Sequence, residues 1–83
     1  MQDIINLLTE MIKSIVDNQN RVQITEQLTD KGYLYEISVD KDDVGKIIGK
    51  AGRVASAIRT IAKAAGAKRG IRVLINVINT PLP

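Results

Sequence analysis

Residues 45–53 read Gly45-Lys46-Ile47-Ile48-Gly49-Lys50-Ala51-Gly52-Arg53, and the reading of this stretch decides the fold. It sets three glycines and three cations between two segments that both carry helical patterning. At its centre, Gly49-Lys50-Ala51-Gly52 is a four-residue turn in which a side chain larger than Ala would crowd either end. Glycine supplies positive φ and lets a foreign backbone come close. Backbone N–H groups at the start of the following helix, with Lys50 and Arg53, make a natural seat for a phosphate.

Upstream of the turn, Asp40-Lys41-Asp42-Asp43 supplies acids suited to a helix start, with Asp40 or Asp42 as N-cap. A short helix from about Asp43 to Ile48 follows, stopped by Gly49. Downstream, a second helix runs from Arg53 to about Ala65, with Val54, Ile58, Ile61, Ala62 and Ala65 on one side. Gly66 suits its C′ position, residues 67–70 form a loop, and Ile71 to Ile78 alternate as a β-branched strand.

Nearer the N-terminus, Ile4, Leu7, Leu8, Met11, Ile12 and Ile15 form the stripe of a core-facing helix over residues 3–16. Val22, Ile24 and Leu28, then Tyr33, Tyr35, Ile37 and Val39, alternate with polar residues as two half-buried strands. Thr29-Asp30-Lys31-Gly32 joins them as a hairpin. The element order is α-β-β-α-α-β. The long helical connection from the second strand to the third implies parallel pairing and a right-handed crossover. The expected fold is an α/β two-layer sandwich, a three-stranded mixed sheet with three helices on one face. It forms one domain over residues 1–79, with a flexible tail at 80–83.

Composition narrows the function. Lacking Cys, the 83-residue chain has no disulfide, thiolate metal site or Cys nucleophile, and lacking His it has no usual general base. The acids at Asp40, Asp42 and Asp43 are explained as a helix start. The expectation is therefore a binding protein and not an enzyme, with no metal, cofactor or small-molecule substrate. No segment reads as a secretory signal, and no apolar run approaches the roughly 20 residues that span a bilayer. A cytoplasmic protein without membrane insertion is expected.

The net charge of +3 conceals a sharper asymmetry. Nine of the 12 basic residues lie between Lys41 and Arg72 against Asp42 and Asp43 alone, a net +7, while the remainder carries −4. A chain polarised in this way offers a cationic face to a polyanion.

Three phosphate-handling motifs compete for the turn. A Walker A loop needs four residues before its Gly-Lys and then Ser or Thr, but three residues separate Gly45 from Gly49, and Ala51 follows Lys50. A dinucleotide fingerprint needs GxGxxG directly after a strand, with an acid about 20 residues later. No acid occurs after Asp43. The GxxG loop of a KH domain needs a helix, then I-G-x-x-G, then a helix, inside a β-α-α-β unit. Ile47 to Arg53 meets that requirement, and the chain resembles a KH domain. With the extra helix and strand at the N-terminus, it resembles the type II arrangement, and over nearly its whole length it is similar to the small bacterial KH proteins of the KhpA family. Ala55 stands where KH motifs often carry a larger aliphatic, and Ile58 lies one turn on.

The resemblance implies a GxxG clamp for short single-stranded RNA at Gly49, Lys50, Ala51, Gly52 and Arg53. Ile47, Ile48, Val54, Ala55 and Ile58 flank the turn as candidates for a base-holding groove. Ordinary core is the competing reading for each, and the preferred one for Ile48. Lys46, Arg59 and Lys63 are further cationic candidates. Lys68, Arg69 and Arg72 extend the positive surface or are simply solvated. The nearest aromatics, Tyr33 and Tyr35, read as sheet packing. The KhpA resemblance also implies homodimers, a heteromeric KhpB-like partner carrying its own KH domain, and RNA-chaperone or post-transcriptional roles linked to cell elongation and envelope homeostasis. A ribosome-associated assembly factor and a protein-interaction domain on the KH fold are the alternative readings.

Overall fold

The computed structural model describes residues 1–78, so the expected tail at 80–83 lies outside the described residues. Its elements are α1 (Gln2–Lys13), β1 (Gln23–Thr29), β2 (Gly32–Ser38), α2 (Val44–Ile48), α3 (Arg53–Lys68) and β3 (Val73–Val77). Short 3₁₀ turns occupy Gln19–Arg21, Lys41–Asp43 and Lys50–Gly52. The sheet order is β1-β2-β3, with β1 antiparallel and β3 parallel to the central β2. This is the mixed sheet covered on one face by three helices that the element order predicts.

Register assigns the two sheet faces. Ile24 pairs with Ile37 and Tyr35 with Ile75, so these side chains share the face beneath the helices. Tyr35 and Ile37 are fully buried there, and the Tyr35 hydroxyl donates to Glu26 at 2.7 Å. The opposite face is largely polar, with the Asn76 amide donating to Glu36 at 3.3 Å. Leu28, read as half-buried, stays 67% exposed because it sits at the far end of the hairpin, next to the Asp30-Lys31 turn.

Helix α1 buries Ile4, Leu8 and Ile12, the centre of its predicted stripe. It ends at Lys13, a turn short of the expected residue 16. The N–H groups of Ile15 and Val16 both return to the Ile12 carbonyl, and those of Asp17 and Asn18 then turn to the Asp43 side chain. Helical bonding is thus exchanged for a long-range anchor.

Helix α3 departs from expectation at one position of its inner stripe and in its length. Its buried positions are Ala55, Ile58, Ala62 and Gly66: Ile58 and Ala62 lie where expected, Val54 and Ala65 pack against the core partly buried, and Ile61 alone of the expected stripe is exposed, at 47%. The helix also continues through Gly66 to Lys68. The chain turns out of it at Gly70, which has a φ of 74° and whose N–H bonds the Ala67 carbonyl at 3.0 Å. Correspondingly, β3 begins at Val73 rather than Ile71. Gly66 serves close packing instead of helix termination. A Cβ there would collide with a Val73 methyl and lie 3.2 Å from the Ile71 carbonyl oxygen.

Gly66→Ala therefore separates two effects of opposite sign. Helix propensity alone favours Ala by about 1 kcal/mol, whereas overpacking costs about 1–3 kcal/mol. Urea unfolding is expected to show net destabilisation. A more stable variant would mean that α3 and β3 are not in close contact.

Candidate nucleic-acid interface

The path to the turn begins at Asp40, whose side chain accepts from the Asp42 N–H at 2.9 Å and caps the 3₁₀ turn before α2. Asp43 does something that its sequence context does not announce. Read as a helix-start acid, it is instead 1% exposed. Its carboxylate accepts from the Asp17 N–H at 3.2 Å, the Asn18 N–H at 3.0 Å and the Asn18 side-chain amide at 3.0 Å. Burial pushes the carboxyl up, but hydrogen bonds from Asn18, Asp17 and Lys46 outweigh it and hold Asp43 below the ordinary carboxylate range. Lys46 ion-pairs with Asp17 and lies 3.5 Å from Asp43.

Helix α2 ends in the turn. Gly49 has φ 75° and ψ 171°, Ala51 φ 58° and ψ 25°, and Gly52 φ 73° and ψ 15°. The Gly49 pair of angles is essentially confined to glycine, and the left-handed region at 51 costs an alanine about 1–2 kcal/mol. The Gly49 N–H donates to the Gly45 carbonyl at 2.8 Å and the Gly52 N–H to the Gly49 carbonyl at 3.1 Å. The N–H groups of Lys50 and Ala51 lie outside both bonds. Such turns form concavities of N–H groups suited to an anion, here beside the N-terminus of α3.

The two outer glycines differ in function. A Cβ at Gly49 would lie 2.8 Å from Val54 Cβ and 2.9 Å from Val54 N, so Gly49 lets the turn close against α3. A Cβ at Gly52 would meet nothing within 4 Å. Gly52 is required by its backbone angles, and its open side faces space that a ligand can enter.

The structure sorts the sequence-predicted residues. Lys50, Ala51, Arg53 and Arg59 are exposed, while Gly49, Gly52, Ile48 and Val54 are half-buried around them. Ile47, Ala55 and Ile58 are 0%, 6% and 3% exposed, so they belong to the core and do not line an open groove. Ile48, for which core was the preferred reading, is the more accessible member of the pair, because a helix of five residues can turn only one of two adjacent side chains inward. Among the described residues, no ion pair uses Lys50, Arg53 or Arg59, whereas Lys46 is engaged as above and Arg69 pairs with Asp3. Sequence reasoning missed a shallow groove on the outer face of α3, where Ser56, Ala57, Thr60 and Ile61 continue from Ala51, Gly52 and Arg53. Its signal was the run of small residues at helical spacing. Among the described residues, no group of three or more acids could hold a metal ion. No helix among them is long and apolar enough to cross a membrane.

A family model described as "KhpA/KhpB, KH domain" matches residues 5–77. The chain belongs to this family. It is 43% identical over 72 residues to the RNA-binding protein KhpA of Clostridium acetobutylicum, covering 87% of this chain and 96% of that protein. Identity to the RNA-binding protein KhpA of Aquifex aeolicus is 41% over 78 residues, 94% of this chain and 95% of the relative. With the Streptomyces coelicolor protein of the same name it is 44% over 66 residues, 80% and 82% of the two chains.

Two outcomes follow from this geometry. Gly49→Ala adds a steric clash to backbone strain and should cost about 2–4 kcal/mol, against about 1 kcal/mol for Gly52→Ala, as read by chemical denaturation. Equal costs would contradict the separate functions. Because its folded pKa is lowered, Asp43 contributes stability that is present above the ordinary carboxylate value of about 3.9 and lost as pH falls through the folded value. Urea midpoints below about pH 4 should drop less for Asp43→Asn than for the wild type, from a lower starting point at neutral pH.

Proposed function

We propose that this chain binds short single-stranded RNA by seating its backbone on the Gly49–Gly52 turn. The observation that carries the reading is the combination of open space at Gly52 with two exposed cations, Lys50 and Arg53, that have no ion-pair partner among the described residues, beside the N-terminus of α3. Relatives named RNA-binding protein KhpA support it. Small residues at 51 and 52 let phosphates approach, Lys50 and Arg53 displace counterions, and Ile48 and Val54 border the turn as apolar contacts for splayed bases. Arg59, on an exposed position of α3, adds diffuse attraction.

A KH groove takes about four nucleotides, which limits affinity for a lone domain. We place the chain in an assembly, either a homodimer or a complex with a larger KH-carrying partner, in which effective concentration raises avidity. RNA-chaperone or post-transcriptional activity in the cytoplasm, with effects on cell shape and envelope homeostasis, is the cellular role proposed for such an assembly.

The choice of variant matters. An acidic substitution at Gly49 would disturb folding through Val54, whereas the Cβ of Gly52→Asp has no neighbour within 4 Å, and Asp tolerates left-handed angles better than most residues. Fluorescence anisotropy with mixed-sequence single-stranded RNA should show wild-type binding that weakens with salt, with a log–log slope of about −0.7 per phosphate held. Gly52→Asp should lose about tenfold or more in affinity while keeping its circular dichroism and most of its stability. Equal affinities for the two folded proteins would contradict the assignment.

A further inference from the structure

Helix α2 has five residues, and a helix that short does not hold itself in place. It depends on anchors at its two ends. One is Ile47, 0% exposed in the core, and the other is Asp43, the residue immediately before Val44. Asp43 is the one buried charged side chain among the described residues. All three of its short hydrogen bonds come from Asp17 and Asn18, 25 or 26 residues away in sequence. An unpaired buried carboxylate is expensive, so these bonds hold the turn after α1 and the start of α2 in a fixed relation.

The GxxG turn follows Ile48 directly, and its position is set by how α2 is anchored. We propose that Asp43 is a positioning residue for the RNA clamp and that Lys46 belongs to the Asp43 tether instead of the RNA contact. This rests on the RNA-clamp reading above. Lys46 lies four residues before Lys50 in sequence, yet its ammonium is held by Asp17 and faces Asp43 at 3.5 Å. It neutralises the carboxylate that secures α2, and a phosphate would have to compete with two carboxylates to recruit it. Lys50 and Arg53, free of such partners among the described residues, are the cations left to face the ligand. If Asp43 only stabilised the fold, a folded variant would keep both the turn and the ligand affinity of the wild type.

The test uses the full chain below its melting temperature, comparing wild type with Asp43→Asn, Lys46→Met and Lys50→Met. Two readouts are needed: amide resonances of Gly49 and Gly52 in the free protein, and anisotropy with single-stranded RNA across a salt series. Asp43→Asn should shift both glycine resonances and weaken RNA binding by about tenfold with circular dichroism retained. Lys46→Met should keep the wild-type salt slope, whereas Lys50→Met should flatten it by about 0.7. If Asp43→Asn does not fold, Asn18→Ala removes one donor, leaves the carboxylate, and should produce smaller changes of the same kind. Wild-type resonances and affinity in a folded Asp43→Asn or Asn18→Ala would overturn the positioning role, and a Lys46→Met slope as flat as that of Lys50→Met would overturn the assignment of Lys46. Absence of RNA binding by the wild type would sink the RNA reading alone, and the free-protein resonances would still decide whether Asp43 positions the turn.

Discussion

Helices α2 and α3 bury side chains in one core and are joined by only four residues, and the backbone reverses hand to connect them. Gly49, Ala51 and Gly52 all take positive φ to make that connection. Gly49 closes the turn onto Val54, where no Cβ fits. With the turn closed, Ile47 on α2 and Ala55 and Ile58 on α3 reach the same core. Strain in this segment is offset by apolar burial on either side. The chain thereby presents bare backbone and two exposed cations at one turn, which core packing alone would not require.

Charge is divided along the same lines. Cations whose neighbours are acids serve the fold: Lys46 with Asp17 and Asp43, Arg69 with Asp3, and Arg21 with Asp40 at 3.6 Å. Lys50, Arg53 and Arg59, near the turn and on α3, have no acid partner among the described residues. The +7 segment is therefore less uniform than its net charge suggests, because part of it is neutralised by acids from the N-terminal half.

Much of this was legible from residue order. Periodicity identified α1, the hairpin and both helices around the turn, and the length of the connection between β2 and β3 implied the parallel pairing. Glycine spacing excluded two competing loops and left the KH clamp. The edges of the α3 stripe were less legible: Ala55 and Gly66 are weak hydrophobic signals, so Ile61 was placed inward although the helix buries its small residues to approach β3. Asp43 was hidden for another reason. An acid before a helix is ordinarily a cap, and only the return of Asp17 and Asn18 across 25 or 26 residues makes this one a buried anchor. Long-range partners of that kind leave no periodic trace.

The central claim is that RNA backbone lies on the Gly49–Gly52 turn, and amide chemical-shift mapping during titration with single-stranded RNA tests it most directly. The account predicts that the largest perturbations cluster from Ile48 to Val54 and fade along α3, with the polar sheet face around Glu36 and Asn76 unchanged. Perturbations centred on the sheet face or on α1, with the turn silent, would contradict it.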